Sequence, residues 1–314
     1  MARRKKIHTT SPNRLLLFLL VAGVTLAVNW YRQHTEQAAA TPVPQEQPQP
    51  SGQSEGLTLC PGHPGIGPAA EYQGKLRAKG LEIPAYLTDR EEEILQHEGF
   101  TISYNRTHLL PNWVAWVLTA ERTRGTETRA ENFQPDPTIR RGPAPQLADY
   151  RRSGYDRGHM CPAADCKHSR EAMNACFYLS NMCPQTHALN AGDWQELETR
   201  CRRWAVAYDS VFIVCGPVLE KRVRYAKIGE NRVTVPREFF KVVLRFTPEG
   251  GAEAIGFLFP NDDTKQPLAR YAVPVDSVEV RTGINFFSKL PRVLERKVEA
   301  EFDVSRWKGI RERL

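Results

Sequence analysis

The chain has 314 residues, 41% of them hydrophobic and 25% charged, which is enough for one large domain or two modest ones with true cores. Its formal net charge is +7, but residues 1–40 set six Lys/Arg against Glu36 alone and so carry +5 of it. With only +2 on the remaining 274 residues, a uniformly basic polyanion-binding surface is excluded, and any grip on nucleic acid must rest on local arginine clusters.

In chain order, residues 1–14 are a basic N-terminus, and "LLLFLLVAGVTLAV" (15–28) followed by "NWY" (29–31) is an apolar run at the short end of what spans a bilayer. The aromatic end and the basic start predict an uncleaved membrane anchor over 15–31. The competing reading is an export signal cut near Ala38–Ala40, far past the apolar run. Either way the basic flank stays cytoplasmic, so the rest is expected on the extracytoplasmic side, or secreted if the leader is removed. Residues 32–57 are Pro-, Gln-, Ser- and Gly-rich and read as a disordered linker. Residues 58–90 read as an irregular lead-in, and 91–305 as the main globular domain.

Within that domain, "TDREEEILQHEG" (88–99) predicts a short capped helix or polar turn. "FTISYNRTHLLPNWVAWVLTAE" (100–121) predicts a hairpin of strands around "ISY" and "WVAWVLT". "FYLS" (177–180) reads as a short strand. "AGDWQELETRCRRWAVAY" (191–208) is an amphipathic helix with Trp194, Leu197, Cys201, Trp204 and Ala205 on one face. "SVFIVCGPV" (210–218), "FFKVVLRF" (239–246) and "AEAIGFLFPN" (252–261) are buried strands, and "PVDSVEVRTG" (274–283) a late exposed strand or connector. Strands on both sides of a central helix give an α+β fold with an antiparallel sheet flanked by helices.

Seven cysteines suit an exported chain, and an odd number leaves at least one unpaired. Cys161, Cys166, Cys176, Cys183 and Cys201 crowd one stretch, which predicts one or two local disulfides. A structural zinc at Cys161, Cys166 and His168 is the weaker alternative, since no tight Cys-x2-Cys pair occurs there.

The chemistry gathers in "YDRGHMCPAAD" (155–165) and in the helix. A neutral His159 can take a proton from water. Arg157 offers a planar fork for phosphate oxygens, and Gly158 admits close backbone approach or unusual φ/ψ. Asn190 is either a helix N-cap or a hard amide ligand for Mg²⁺. Glu198 lies two turns further along and suits a metal-bound water, and Arg202, four residues on, is placed to pair with it, as an ordinary surface ion pair also would be. Each residue alone has a bland reading; together they describe a phosphodiesterase site.

"YDRGHMCPAAD", "FYLSNMCPQTHALNAGDWQELE", "VPREFFKVVL" and "AIGFLFPN" resemble the DNA/RNA non-specific endonuclease family, over about Gly99 to Leu290. The resemblance implies a His-Me finger (ββα-metal) nuclease fold and metal-dependent hydrolysis of DNA and RNA with little sequence selectivity. It implies His159 as general base, Asn190 as the direct Mg²⁺ ligand and Glu198 as a ligand through water. Arg157, Arg202 and, within "TRAENF" (128–133), Arg129 would contact phosphate, and Asn181 would order His159 or substrate. Mn²⁺ or Ca²⁺ fits the same oxygen-rich site. The arginine pairs 140–141 and 151–152 and "RCRR" (200–203) are further candidates for backbone contact. An inactive nucleic-acid-binding or scaffold protein on a membrane stalk is the rival reading, and the oligomeric state, a homodimer included, is left open.

Overall fold

The computed structural model describes residues 80–310. The expected anchor at 15–31, the linker at 32–57 and Cys60 lie outside the described residues. Among the described residues no helix is long and apolar enough to cross a membrane.

The strands are β1 (Glu93–His97), β2 (Phe100–Asn105), β3 (Leu110–Thr119), β4 (Asp156–His159), β5 (Met182–Gln185), β6 (Ser210–Pro217), β7 (Lys227–Ile228), β8 (Val233–Thr234), β9 (Glu238–Phe246), β10 (Ala252–Pro260) and β11 (Ala272–Val273). Seven form one antiparallel sheet in the order β1-β2-β3-β6-β9-β10-β11, while β4 pairs with β5 and β7 with β8 in two small ribbons. The helices are α1 (Leu147–Tyr150), α2 (Arg170–Ala175), α3 (Trp194–Tyr208), α4 (Val275–Thr282) and α5 (Arg292–Ala300).

Strand alternation divides the apolar side chains between two cores. Along β6, Val211, Ile213 and Cys215 join one core with Trp194, Leu197, Cys201 and Trp204 of α3. Phe212 and Val214 point the other way and meet Val275 and Val278 of α4 and Val298 of α5. The central strands are therefore buried on both faces, which is why "SVFIVCGP" shows no polar alternation. The lead-in remains irregular from 80 to 90, yet its Leu81 and Leu87 are buried in the second core.

Three expectations change. Residues 93–97 form an edge strand rather than a capped helix: the acidic run hides a period of two, with only Leu95 buried, and the β2 ladder takes its backbone. Residues 275–282 form helix α4 rather than a strand. Val275 and Val278 are buried one turn apart while Val280 is 86% exposed, and Pro274 and the left-handed Gly283 (φ +68°) mark its ends. "FYLS" is not a strand: Leu179–Asn181 make a 3-10 turn that delivers the chain into β5.

Candidate active site

The histidine segment is itself a strand. In the β4–β5 ribbon Asp156 faces Gln185, Gly158 faces Cys183 and His159 faces Met182. Gly158 is needed there for space rather than for unusual backbone angles, since a Cβ on it would lie 1.9 Å from Gln185 Oε1. Past His159 the chain is fixed by Asn181. Its amide oxygen accepts from Cys161 N (2.9 Å), its Nδ2 donates to the carbonyls of Cys161 (2.9 Å) and Cys176 (2.8 Å), and its backbone carbonyl accepts from Met160 N (2.9 Å). Asn181 is fully buried, so it orders the strand that carries His159 and does not face a substrate.

Opposite the ribbon, Leu189–Asp193 form a π-helical turn leading into α3, with Gly192 in a non-helical conformation (φ −117°, ψ −114°). Such wide turns recur at functional sites. Asn190 lies inside this turn and is not an N-cap. Its Nδ2 donates to Asp156 Oδ2 (3.0 Å), which also accepts from His187 Nδ1 (2.8 Å). That bond leaves the amide oxygen of Asn190 as the atom to offer to a cation. The first residue of α3 closes the arrangement, with Trp194 Nε1 donating to the carbonyl of His159 (3.2 Å).

The imidazole of His159 is walled by Phe177 (ring centroids 4.9 Å apart, edge to face) and Phe133 (5.7 Å). Its Nε2 is buried and has no hydrogen-bond partner among protein atoms. Burial, reinforced by the charges of Arg129 and Arg157, lowers its pKa to about 3. The ring is thus a neutral base at any ordinary pH. The two arginines lie against the same aromatic wall. Arg157 Cζ sits 4.4 Å from the centre of the Phe133 ring and Arg129 Cζ 5.0 Å from that of Phe177. With Arg151 they line an open cleft of about 550 Å³.

On α3, Glu198 is half-buried and its carboxyl is raised to about 7, chiefly by loss of solvation and also by Asp165, against the lowering pull of Lys241 and Arg202. Arg202 does not pair with Glu198. It reaches Asp165 Oδ1 (3.1 Å) and Thr199 Oγ1 (2.9 Å), because Asp165 is a buried acid on the neighbouring turn whose other oxygen accepts from Trp116 Nε1 (3.1 Å). Arg200 of the "RCRR" cluster turns inward and is 2% exposed, so it is not part of a phosphate-facing surface.

Lys241 of β9 was not singled out in the sequence. It is fully buried, its Nζ lies 4.2 Å from the centre of the Trp194 ring and 5.5 Å from that of Trp116, and no hydrogen-bond acceptor meets it. Burial opposes its charge, but Cys215, Glu198, Cys201 and Asp165 together raise its pKa. A lone lysine in the apolar string "FFKVVL" was the available signal.

The expected local disulfides are absent among the described residues. Cys161, Cys166, Cys176, Cys183, Cys201 and Cys215 are all buried free thiols. Cys161 and Cys166 touch with sulfurs 3.6 Å apart, against about 2.05 Å for a bond. Cys176 and Cys215 donate instead to the carbonyls of Met173 (3.1 Å) and Met160 (3.3 Å).

Asn190, bonded to the ribbon, and Glu198, further along on α3, carry oxygen atoms of the kind that suits a hard divalent cation. The amide oxygen of Asn190 and the carboxylate of Glu198 are oxygen ligands, and no ion pair claims Glu198 among the described residues.

Residues 77–293 match the family model described as DNA/RNA non-specific endonuclease. The mitochondrial endonuclease G of Bos taurus is 34% identical over 300 residues, covering 88% of this chain and 95% of that protein. The mitochondrial Nuclease 1 of Schizosaccharomyces pombe is 39% identical over 213 residues, covering 62% of this chain and 66% of that protein. A crystal structure of an EndoG/EndoGI complex superposes with a TM-score of 0.64 at 31% identity, covering 72% of this chain and 98% of that one. The chain belongs to the DNA/RNA non-specific endonuclease family.

Proposed function

We propose that this nuclease is a Mg²⁺-dependent endonuclease that hydrolyses phosphodiester bonds of DNA and RNA with little sequence selectivity. The observation that carries this reading is His159 Nε2, a neutral, partnerless ring nitrogen beside two arginines that rest on aromatic faces. His159 takes the proton from a water placed in line with the departing 3′ oxygen. Arg129 and Arg157 neutralise the phosphate as charge builds on its oxygens, and Arg202, held by Asp165, is a further phosphate contact in this reading. Asn190 and, through water, Glu198 hold the cation, with Mn²⁺ an acceptable substitute. When bound, that ion supplies Lewis-acid stabilisation of the phosphate and the leaving oxygen. Asn181 acts by fixing the strand behind His159. Contacts to phosphate carry no base information, which is the physical ground for low selectivity.

Supercoiled plasmid and a structured RNA incubated with Mg²⁺, with and without EDTA, test this reading. Both should be degraded only with the metal, and Asn190→Ala should abolish the difference. Intact substrate under every condition would favour a nucleic-acid-binding protein without activity.

We further propose that residues 15–31 anchor the chain in a membrane, with the nuclease on the extracytoplasmic side. The basic residues at 1–14 and the apolar run support this. Carbonate extraction and protease shaving of intact cells test it; a freely soluble full-length chain would contradict it.

A further inference from the structure

On the far side of the sheet from His159, a second group of acids has no assigned purpose. Asp276 and Glu279 stand one turn apart on α4, and Glu299 comes from the last turn of α5. One oxygen from each lies within 4.8 Å of the others, the sole grouping of three such ligands among the described residues.

Repulsion alone would drive such a trio apart, yet it is held together. Glu299 is only 7% exposed and its Oε1 is buried without a hydrogen-bond partner. A buried acceptor left unmade is costly, and a carboxylate more so. Glu279 is aimed by a hydrogen bond from Phe286 N to its Oε1 (2.7 Å), which leaves its other oxygen for the cluster. Asp276 is exposed and gives the group an open side. Among the described residues no lysine or arginine pairs with Glu299. The charges acting on Glu299, from Glu279, Glu295 and Asp276, are all carboxylates.

We propose that Asp276, Glu279 and Glu299 bind a hard divalent cation of the calcium class, with Glu295 at the rim, and that this ion clamps α5 onto α4. Oxygen ligands from flexible carboxylates, with an open side for water, suit calcium's large and irregular coordination better than the strict octahedron of magnesium. The match to the family model ends at residue 293, so the ion would join a matched helix to one that lies almost wholly beyond the match. The site is independent of catalysis, and its role would be to stabilise the C-terminal segment.

The test uses the full chain carrying Asn190→Ala, so that the proposed catalytic metal site does not contribute. Calorimetric titration with CaCl₂ should give one equivalent bound. Thermal unfolding should shift upward by about 5–10 °C when calcium exceeds its Kd a hundredfold. Adding Glu299→Gln should weaken calcium binding at least tenfold. Adding Glu279→Gln as well should abolish the shift, while raising Tm in EDTA because repulsion is relieved. An unchanged Tm with calcium in the Asn190→Ala chain, or an equal calcium shift in the double Gln variant, would overturn the proposal.

Discussion

The indole of Trp194 donates to the backbone carbonyl of His159 across 3.2 Å, tying the first residue of α3 to the last residue of β4. Through that bond the helix that carries Glu198 and Arg202 is registered against the strand that carries the base. Trp194→Phe keeps most of the apolar packing against Phe239 and Phe259 but removes the donor. The variant should fold, lose about 1 kcal/mol of stability, and lose about tenfold in kcat with little change in KM. Steady-state kinetics beside urea unfolding check both parts.

Gly158 and Gln185 should behave as a coupled pair. Gly158→Ala puts a methyl group into the Gln185 amide and should destabilise the protein by about 1–3 kcal/mol. Gln185→Ala in the same chain clears that space. The double variant should be less destabilised than the sum of the two singles, as a double-mutant cycle in denaturant would measure.

Two arginines that look equivalent in the sequence should separate by experiment. Arg202 pairs with Asp165, whose side chain is 1% exposed, so Arg202→Ala leaves a buried acid without its counter-charge. That variant should lose about 3 kcal/mol of stability as well as activity. Arg157 lies against Phe133 and pairs with no acid among the described residues, so Arg157→Ala should lose activity by about a hundredfold with little effect on Tm.

The pH dependence of stability follows from His159. Its folded pKa, about 3, lies below the ordinary histidine value of 6.5. Below about pH 6.5 the unfolded chain therefore takes up a proton that the folded chain refuses. The contribution of the neutral ring is full above that pH and declines as pH falls toward 3. Between pH 7.5 and pH 5, wild type should lose about 2 kcal/mol more stability than His159→Asn, read from urea midpoints at each pH.

How much of this was legible in the sequence depends on what each residue answers to. β6 is an almost unbroken apolar run, and β3, β9 and β10 are largely apolar, interrupted by Asn112, by Lys241 and Arg245, and by Glu253; a strand buried on both faces leaves that mark wherever it sits. Helix α3 declared itself by its buried Trp194, Leu197, Cys201 and Trp204. Helix α4 did not, because its β-branched valines favour strands in isolation, and only packing of Val275 and Val278 on the sheet decides for helix. His159, Arg157, Asn190 and Glu198 were singled out from local motifs, and the structure sets His159 and Arg157 against the Phe133 ring and Asn190 against Asp156. Their partners were not singled out: Asp165 takes Arg202 from Glu198, Asp156 holds Asn190, and Lys241 lies behind the site from a distant strand. Those pairings are set by tertiary approach across dozens of residues, which no local pattern encodes.

The central claim is that the partnerless imidazole nitrogen of His159 takes the proton of the attacking water. The most direct measurement is kcat/KM of His159→Asn on plasmid DNA and on RNA with saturating Mg²⁺, with circular dichroism confirming the fold. The account predicts a loss of at least about a thousandfold on both substrates. Activity within about threefold of wild type on either one would contradict it.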